Sequence, residues 1–215
     1  MRTLKKLSDP GFWQYVLGGA WRRLGNPPAC PCCGSGLGVV VDRKFLHSLI
    51  ECADCGILHR YPTEQDREMA EFYQQAYDEP GFASEMPDEA TLQQLLATNF
   101  KGSAKDFSGQ VAILEALGLR RGQRLMDFGA SWGYATHQFC QAGFAAEGFE
   151  LSKPRAAFGR RLGLDIAGQP PEGGPTFDMV YSCHVLEHVP NPFQTLTKML
   201  AWVKPGGIEI GRAHV

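Results

Sequence analysis

Residues 124–134 read RLMDFGASWGY, an apolar strand-like run that ends at Asp127 and enters a turn containing Gly129 and Gly133. Glycine turns that follow a buried strand commonly hold a phosphate-bearing ligand against the N-terminus of the next helix. A carboxylate beside such a turn would repel a pyrophosphate, but it would attract a ligand that carries positive charge. The turn therefore predicts a binding site for a cationic ligand.

Strand-like and helix-like patterns alternate from this turn toward the end of the chain. The strand-like segments are RLMDFG, AAEGFE, TFDMVYSCHV and GGIEI, and helix-like segments lie between them. Such alternation is typical of a mostly parallel sheet with helices on both faces. We therefore predict an α/β fold of the Rossmann-like type, in which ligands bind at the carboxyl ends of the strands.

Glu150 ends the second strand-like segment, where a carboxylate can accept hydrogen bonds from both hydroxyls of a ribose. That position suits either NAD or S-adenosylmethionine. The turn departs from the G-x-G-x-x-G pattern of NAD-binding proteins, because Ser131 occupies the middle glycine position and Gly133 comes one residue early. Asp127 also discriminates between the two ligands, because its carboxylate attracts the ammonium and sulfonium of S-adenosylmethionine but repels the pyrophosphate of NAD. The residues favour S-adenosylmethionine.

Five of the seven cysteines form two groups, CPCCG and CADCG. A C-x-x-C spacing lets one tight turn direct two thiolates toward a single ion. Four thiolates complete the tetrahedral shell of a structural zinc ion and leave no position for a catalytic water. The sequence predicts a zinc ribbon, with two disulfides as the alternative and Cys32 as a spare thiol. The predicted metal ligands are Cys30, Cys33, Cys52 and Cys55.

The segments LMDFGASWGY, GFELS, FDMVYSCHVLEHVPNP and VKPGG resemble, in order and spacing, the motifs of class I S-adenosylmethionine-dependent methyltransferases. The resemblance covers residues 124–207 and implies both the fold and the cofactor. It also implies that His184 lies near the transferred methyl group, where it is the candidate catalytic base. The implied cofactor-binding residues are Asp127, Gly129, Ala130, Ser131, Gly133, Glu150, Leu151 and His184.

With the cysteine pairs in front of it, the chain looks like the zinc-ribbon methyltransferases that modify bacterial surface polysaccharides and sugars. This resemblance implies a small-molecule or sugar-containing methyl acceptor. Methylation of ribosomal or transfer RNA is an alternative, because zinc knuckles also bind RNA, but the net charge of −2 argues against it. A catalytically inactive binding protein with the same fold is the third interpretation.

A second motif overlaps the same region, because His184, Glu187 and His188 match the H-x-x-E-H pattern of one metallopeptidase class. Here the motif follows a strand and runs into Pro190, which leaves no room for a metal-binding helix. We therefore interpret Glu187 and His188 as structural residues.

These patterns divide the chain into five segments. We predict an N-terminal amphipathic helix, a zinc ribbon, a helical connector that covers the pocket, a truncated methyltransferase domain and a non-native tail. The tail EIGRAHV resembles a translated sequencing adapter, and the sheet lacks its closing strands, so we expect lower stability and activity than in a longer parent. The segments are residues 1–26, 27–60, 61–110, 111–208 and 209–215.

The sequence contains no run of about 18–20 consecutive apolar residues, the length that a membrane-spanning helix requires. The short apolar run near the N-terminus lacks the small-residue cleavage site of a signal peptide. We therefore expect a cytoplasmic protein. Residues 1–25 are expected to pack on the protein, and peripheral contact with the inner membrane through their apolar face is the alternative.

Overall fold

The computed structural model describes residues 28–44, 47–63, 66–75 and 85–212, together with residue 17. The chain separates into two compact units, with the main boundary between Glu68 and Met69 and with residues 190–194 grouped with the first unit. The predicted N-terminal helix and its membrane contact concern residues outside these ranges, apart from Leu17. Within the described part of the chain, no helix is long and apolar enough to cross a membrane.

The first unit contains a three-stranded antiparallel sheet in the order β1-β2-β3. Consecutive β-branched residues favour extended backbone in β1, where the register shifts between Val40 and Asp42. Ile50 and Cys52 are buried on one face of β2. The sheet thus holds the segments that carry both cysteine pairs. Its strands are β1 (Gly38–Lys44), β2 (His47–Cys52) and β3 (Leu58–Tyr61).

Among the described residues between the two sheets, three segments of the chain are helical, in the region where the sequence predicts a helical connector. Asp88 caps the second of them by accepting a hydrogen bond from the Thr91 N–H. Leu92 of that helix and Phe100 after it are buried against Trp132 of the glycine turn. Part of the predicted connector therefore belongs to the core of the second unit. The helices are α1 (Asp66–Gln75), α2 (Glu89–Ala97) and α3 (Ser108–Ala116).

The second unit is built around a five-stranded sheet in the order β6-β5-β4-β7-β8, in which every neighbouring pair is parallel. The chain leaves the central strand β4 in one direction to β5 and β6, and it then crosses to β7 and β8 on the other side. Ligands of such sheets bind where the strand order reverses, which is the carboxyl end of β4. The strands are β4 (Arg124–Phe128), β5 (Ala145–Phe149), β6 (Ile166–Ala167), β7 (Phe177–Cys183) and β8 (Val203–Arg212).

Helices cover both faces of this sheet, because alternate residues of its strands point to opposite sides. Leu125 and Tyr181 bury one face against Phe139 of α4. Met126 and Val180 bury the other face in a separate cluster. The α/β fold predicted from the alternating pattern is confirmed. The remaining helices are α4 (Tyr134–Gln141), α5 (Lys153–Arg161) and α6 (Pro192–Trp202).

The last described residues of the chain belong to the sheet of the second unit. Residues 209–212 continue β8, with Glu209 paired to Val180 and Arg212 paired to Cys183. They extend the sheet because the backbone of β7 offers unpaired hydrogen-bonding groups on that side. The non-native origin of this segment, and the truncation of the domain, stay predictions.

Candidate cofactor site and cysteine cluster

Asp127 lies in the central strand β4, directly opposite Gly148 of β5 and Tyr181 of β7. Its side chain is buried, and Oδ2 accepts a hydrogen bond of 2.7 Å from Thr136 Oγ1. Thr136 is the third residue of α4, so the carboxylate stands at the positive end of that helix. The strand and the helix that flank the glycine turn are therefore joined through one carboxylate.

Burial raises the pKa of the Asp127 carboxyl to about 7, although the hydrogen bond from Thr136 lowers it. The negative charge of Glu150 raises this pKa further. A carboxyl group in this state accepts a nearby cation readily, because the cation favours the ionised form. The environment of Asp127 is consistent with a cationic ligand.

Glu150 follows β5 and is also buried. Its Oε2 accepts a hydrogen bond of 2.8 Å from the Ser131 N–H, and its Oε1 accepts one of 2.7 Å from the Ser152 N–H. Each carboxylate oxygen retains a second lone pair. The contact of Glu150 with a ribose stays a prediction, but the structure places this carboxylate directly against the turn.

The turn approaches its neighbours closely at Gly129. The N–H groups of Gly129 and Ala130 both donate to the carbonyl oxygen of Phe149, at 2.9 Å each. Gly129 has a φ of +84°, and a Cβ atom there would lie 2.3 Å from Cγ2 of Val185. Only glycine fits this conformation and this space. Gly133, with a φ of +90°, also has a left-handed backbone and is the N-cap residue that precedes α4.

Ser131 occupies the position where the dinucleotide-binding pattern has its middle glycine, and it adopts the left-handed backbone with a φ of +53°. Its hydroxyl accepts a hydrogen bond of 2.8 Å from Nη1 of Arg155, a residue of α5. Both side chains are buried. The serine thus keeps a glycine-like conformation and adds a side-chain contact that glycine could not make.

His184 follows β7 and also has a left-handed backbone, with a φ of +57°. Its Nδ1 lies 3.3 Å from Oε1 of Glu187, and the next residue, Val185, is the one that faces Gly129. Residues 184–188 form a bend and a turn, so the H-x-x-E-H motif is not carried by a helix. His184 therefore stands on the loop beside the glycine turn, and its catalytic role stays a prediction.

Two further residues contact the edge of the site and were not singled out in the sequence. Gln74 of α1 donates through its side-chain amide to the carbonyl oxygen of Leu151, and its Oε1 accepts from the Lys153 N–H. The Nζ atom of Lys105 lies 4.4 Å from the centre of the ring of Tyr134, the residue that directly follows the turn. Burial, and then the charge of Arg155, lower the pKa of this lysine.

Thr136 and Arg155 were missed as well, although each left a signal. Thr136 is a hydroxyl residue in the first turn of a predicted helix, where a side chain can reach back to the preceding strand. Arg155 is a cation in the first turn of α5, where the helix dipole disfavours positive charge. A basic residue at that position indicates a specific partner.

In the first unit, the four predicted thiols come together, with all four sulfur atoms within 4.8 Å of one another. Sγ of Cys30 lies 3.6 Å from Cys55, and Sγ of Cys33 lies 3.6 Å from Cys52. These distances are far longer than the roughly 2.05 Å of a disulfide. Cys32 does not belong to the cluster. The four free thiols are close enough to ligate a single metal ion, and they do not form the two alternative disulfides.

Backbone N–H groups near the second C-x-x-C pair donate hydrogen bonds to its sulfur atoms. The Cys55 N–H, despite the opposing effect of burial, holds the pKa of the Cys52 thiol at about 7, below its ordinary value. The Ile57 N–H acts in the same direction on Cys55, but burial and the neighbouring thiols raise that pKa to about 12. A metal ion binds cysteines as thiolates, so its binding here would release the protons of these thiols.

The family model described as a methyltransferase domain matches residues 90–210. A ubiquinone biosynthesis O-methyltransferase of Caulobacter vibrioides is 33% identical over 98 residues, which are 40% of this chain and 39% of that protein. An uncharacterized methyltransferase of Mycobacterium bovis is 33% identical over 97 residues, or 41% and 38% of the two chains.

Among solved structures, Phospholethanolamine N-methyltransferase 2 of Haemonchus contortus is 20% identical, with 65% of this chain and 35% of that chain covered and a TM-score of 0.48. The matched region spans about two fifths of the length of the curated relatives.

Proposed function

Because the chain belongs to the methyltransferase domain family, which matches residues 90–210, we propose that it binds S-adenosylmethionine and transfers the methyl group to a small molecule. The observation that carries this proposal is the pair of buried carboxylates, Asp127 and Glu150, on either side of the glycine turn. The cofactor brings an ammonium and a sulfonium, which negative charge stabilises. Its ribose offers two hydroxyls to Glu150.

S-adenosylmethionine supplies a methyl group that is already activated, because a neutral thioether leaves from a sulfonium. The residues of the chain therefore act mainly by binding and by alignment of the acceptor with the methyl carbon. Gly129 allows the loop that carries His184 to approach the turn. His184 accepts the proton of the acceptor through Nε2, while Glu187 holds Nδ1 at 3.3 Å and orients the ring.

The acceptor is a small molecule or a sugar-containing intermediate, as in the synthesis of cell-surface polysaccharides. Curated relatives named for ubiquinone biosynthesis support the small-molecule class. The net charge of −2 supports it too, because proteins that bind RNA neutralise phosphates with clustered Lys and Arg. The sugar component comes from the resemblance to zinc-ribbon methyltransferases.

The cysteine cluster holds one structural zinc ion in this proposal. Four sulfur atoms within 4.8 Å match the donor set of a closed tetrahedral site, which has no open position for a substrate or a water. Zinc would stabilise the small sheet β1-β2-β3, which buries few apolar side chains. The metal therefore has a structural role, and the methyl transfer belongs to the second unit.

Calorimetric titration of the whole chain tests the cofactor. S-adenosylmethionine and S-adenosylhomocysteine should bind, NAD should not, and Glu150→Gln should weaken both cofactor forms. Glu115→Gln, the same change in charge at the exposed surface of α3, serves as the control. Failure of both forms to bind to a folded chain would overturn the proposal, and tight binding of NAD would replace it.

A further inference from the structure

We propose that Arg155 is a positioning residue, which holds Ser131 and thereby fixes the Glu150 carboxylate for the ribose of the cofactor. This inference rests on the proposed function, because it concerns the site assigned there to S-adenosylmethionine. Arg155 would touch no substrate. It would act through the hydrogen bonds that tie the glycine turn to the end of β5.

Arg155 is an unusual residue for the interior of a small domain. It is only 1% exposed, although guanidinium groups are rarely buried completely. Burial of such a cation is costly unless hydrogen bonds and opposite charge compensate for it. Its Nη1 donates to Ser131 Oγ at 2.8 Å, within the turn. This buried donor therefore acts on a residue of the candidate cofactor site.

Ser131 connects Arg155 to Glu150. The left-handed φ of +53° is uncommon for serine, and the hydroxyl contact with Arg155 compensates for that conformation. In this conformation the Ser131 N–H points at Glu150 Oε2, at 2.8 Å. Arg155 therefore fixes the residue whose backbone holds one oxygen of the carboxylate.

Ser152 holds the second oxygen of Glu150 and contacts the backbone of Arg155. Its hydroxyl caps α5 by accepting a hydrogen bond from the Arg155 N–H at 3.5 Å, and its own N–H donates to Glu150 Oε1 at 2.7 Å. Both oxygens of Glu150 are thus held, and the link through Ser131 is the one that depends on the Arg155 side chain, because Ser152 contacts only the backbone N–H of Arg155 in this pair of bonds. A carboxylate held at both oxygens is preorganised, so that less freedom is lost when it binds the ribose.

A double-mutant cycle separates this role from simple core packing. Arg155→Met should weaken binding of S-adenosylhomocysteine at least about fivefold, the effect of one ordinary hydrogen bond. It should weaken a 2′,3′-dideoxy analogue less than about twofold, because that analogue cannot use Glu150. Ser131→Gly allows the same backbone without the hydroxyl, so adding Arg155→Met to that variant should cost little more.

The outcome is decisive in either direction. Equal weakening of the two ligands by Arg155→Met, or an unchanged cost in the Ser131→Gly background, would show that Arg155 only stabilises the core. If the methionine variant fails to fold, Arg155→Lys keeps the buried charge and is measured in the same cycle. Loss of binding in the unmodified chain would instead overturn the cofactor assignment and, with it, this role.

Discussion

The Thr136 hydroxyl donates a 2.7 Å hydrogen bond to Oδ2 of Asp127 and so links the first turn of α4 to the last part of β4. The glycine turn lies between these two residues. Asp127, an acid that would repel a phosphate at this turn, therefore also joins the strand before the turn to the helix after it. The same carboxylate can hold the turn and balance the charge of a cationic ligand.

Replacement of that hydroxyl should weaken cofactor binding. Thr136→Val preserves the shape of the side chain but removes a hydrogen bond that favours the ionised form of Asp127. We expect affinity for S-adenosylmethionine at pH 7 to fall about three- to tenfold, the range for the net contribution of one ordinary hydrogen bond. Calorimetry measures it. Thr98→Val is the matched control, because its hydroxyl donates only to carbonyls at the exposed end of α2; equal losses in the two variants would contradict the assignment.

Cofactor affinity should depend on pH through Asp127. Since the pKa of its carboxyl is raised to about 7 in the folded protein, the group is mostly protonated below that pH and ionised above it. A cationic ligand favours the ionised form, so binding should strengthen as the pH rises through 7 and then level off. Titrations across the range should show this midpoint, and Asp127→Asn should bind weakly without it. A flat profile in the unmodified chain would rule the effect out.

The stability of the unbound protein should change in the opposite direction. The folded state retains the Asp127 proton between the ordinary aspartate pKa, near about 4, and the raised value of about 7. The unfolded state has already lost that proton, so this group's contribution to stability falls as the pH rises across the window. Denaturant unfolding of the protein and of Asp127→Asn should diverge there, and parallel curves would refute the coupling.

Gly129→Ala should destabilise the second unit. The new methyl group would meet Val185 Cγ2 at 2.3 Å, and overpacking of this kind costs about 1–3 kcal/mol. Gly163→Ala is the control, because Gly163 has a similar φ of +79° with no atom within 4 Å of the added carbon. Thermal unfolding should show the larger loss at Gly129, partly restored by Val185→Ala. Equal losses of stability in the two alanine variants would show that the effect comes from the backbone conformation alone.

Substitution of Cys32 and substitution of Cys33, two adjacent cysteines, should differ in their effect on the amount of bound metal. Cys33→Ser removes a member of the sulfur cluster, whereas Cys32→Ser changes a thiol outside it. We expect about one zinc ion per chain in the protein and in Cys32→Ser, and much less in Cys33→Ser. Metal analysis after dialysis measures this directly. Equal zinc content in the two variants would require a different ligand set.

Local sequence patterns predicted four of the five strands of the parallel sheet, but not the short strand β6, and they predicted two carboxylates at its edge. The alternation of strands and helices implied the parallel sheet, because each segment's hydrophobic period depends only on its own residues. The C-x-x-C spacing predicted which sulfur atoms would meet. Asp127 and Glu150 could be assigned to one edge, because the carboxyl ends of neighbouring parallel strands meet there.

The partners of those residues depended on the tertiary structure. Ser131 and Arg155 are 24 positions apart, and Gln74 is 77 positions from Leu151, so no local period could pair them. Whether a side chain on α5 reaches a turn after β4 is decided by strand register and by the packing angle of the helix. The sequence alone does not explain why Ser131 stands at the position of the middle glycine. The tertiary structure explains it, because α5 brings the buried guanidinium of Arg155 to the Ser131 hydroxyl.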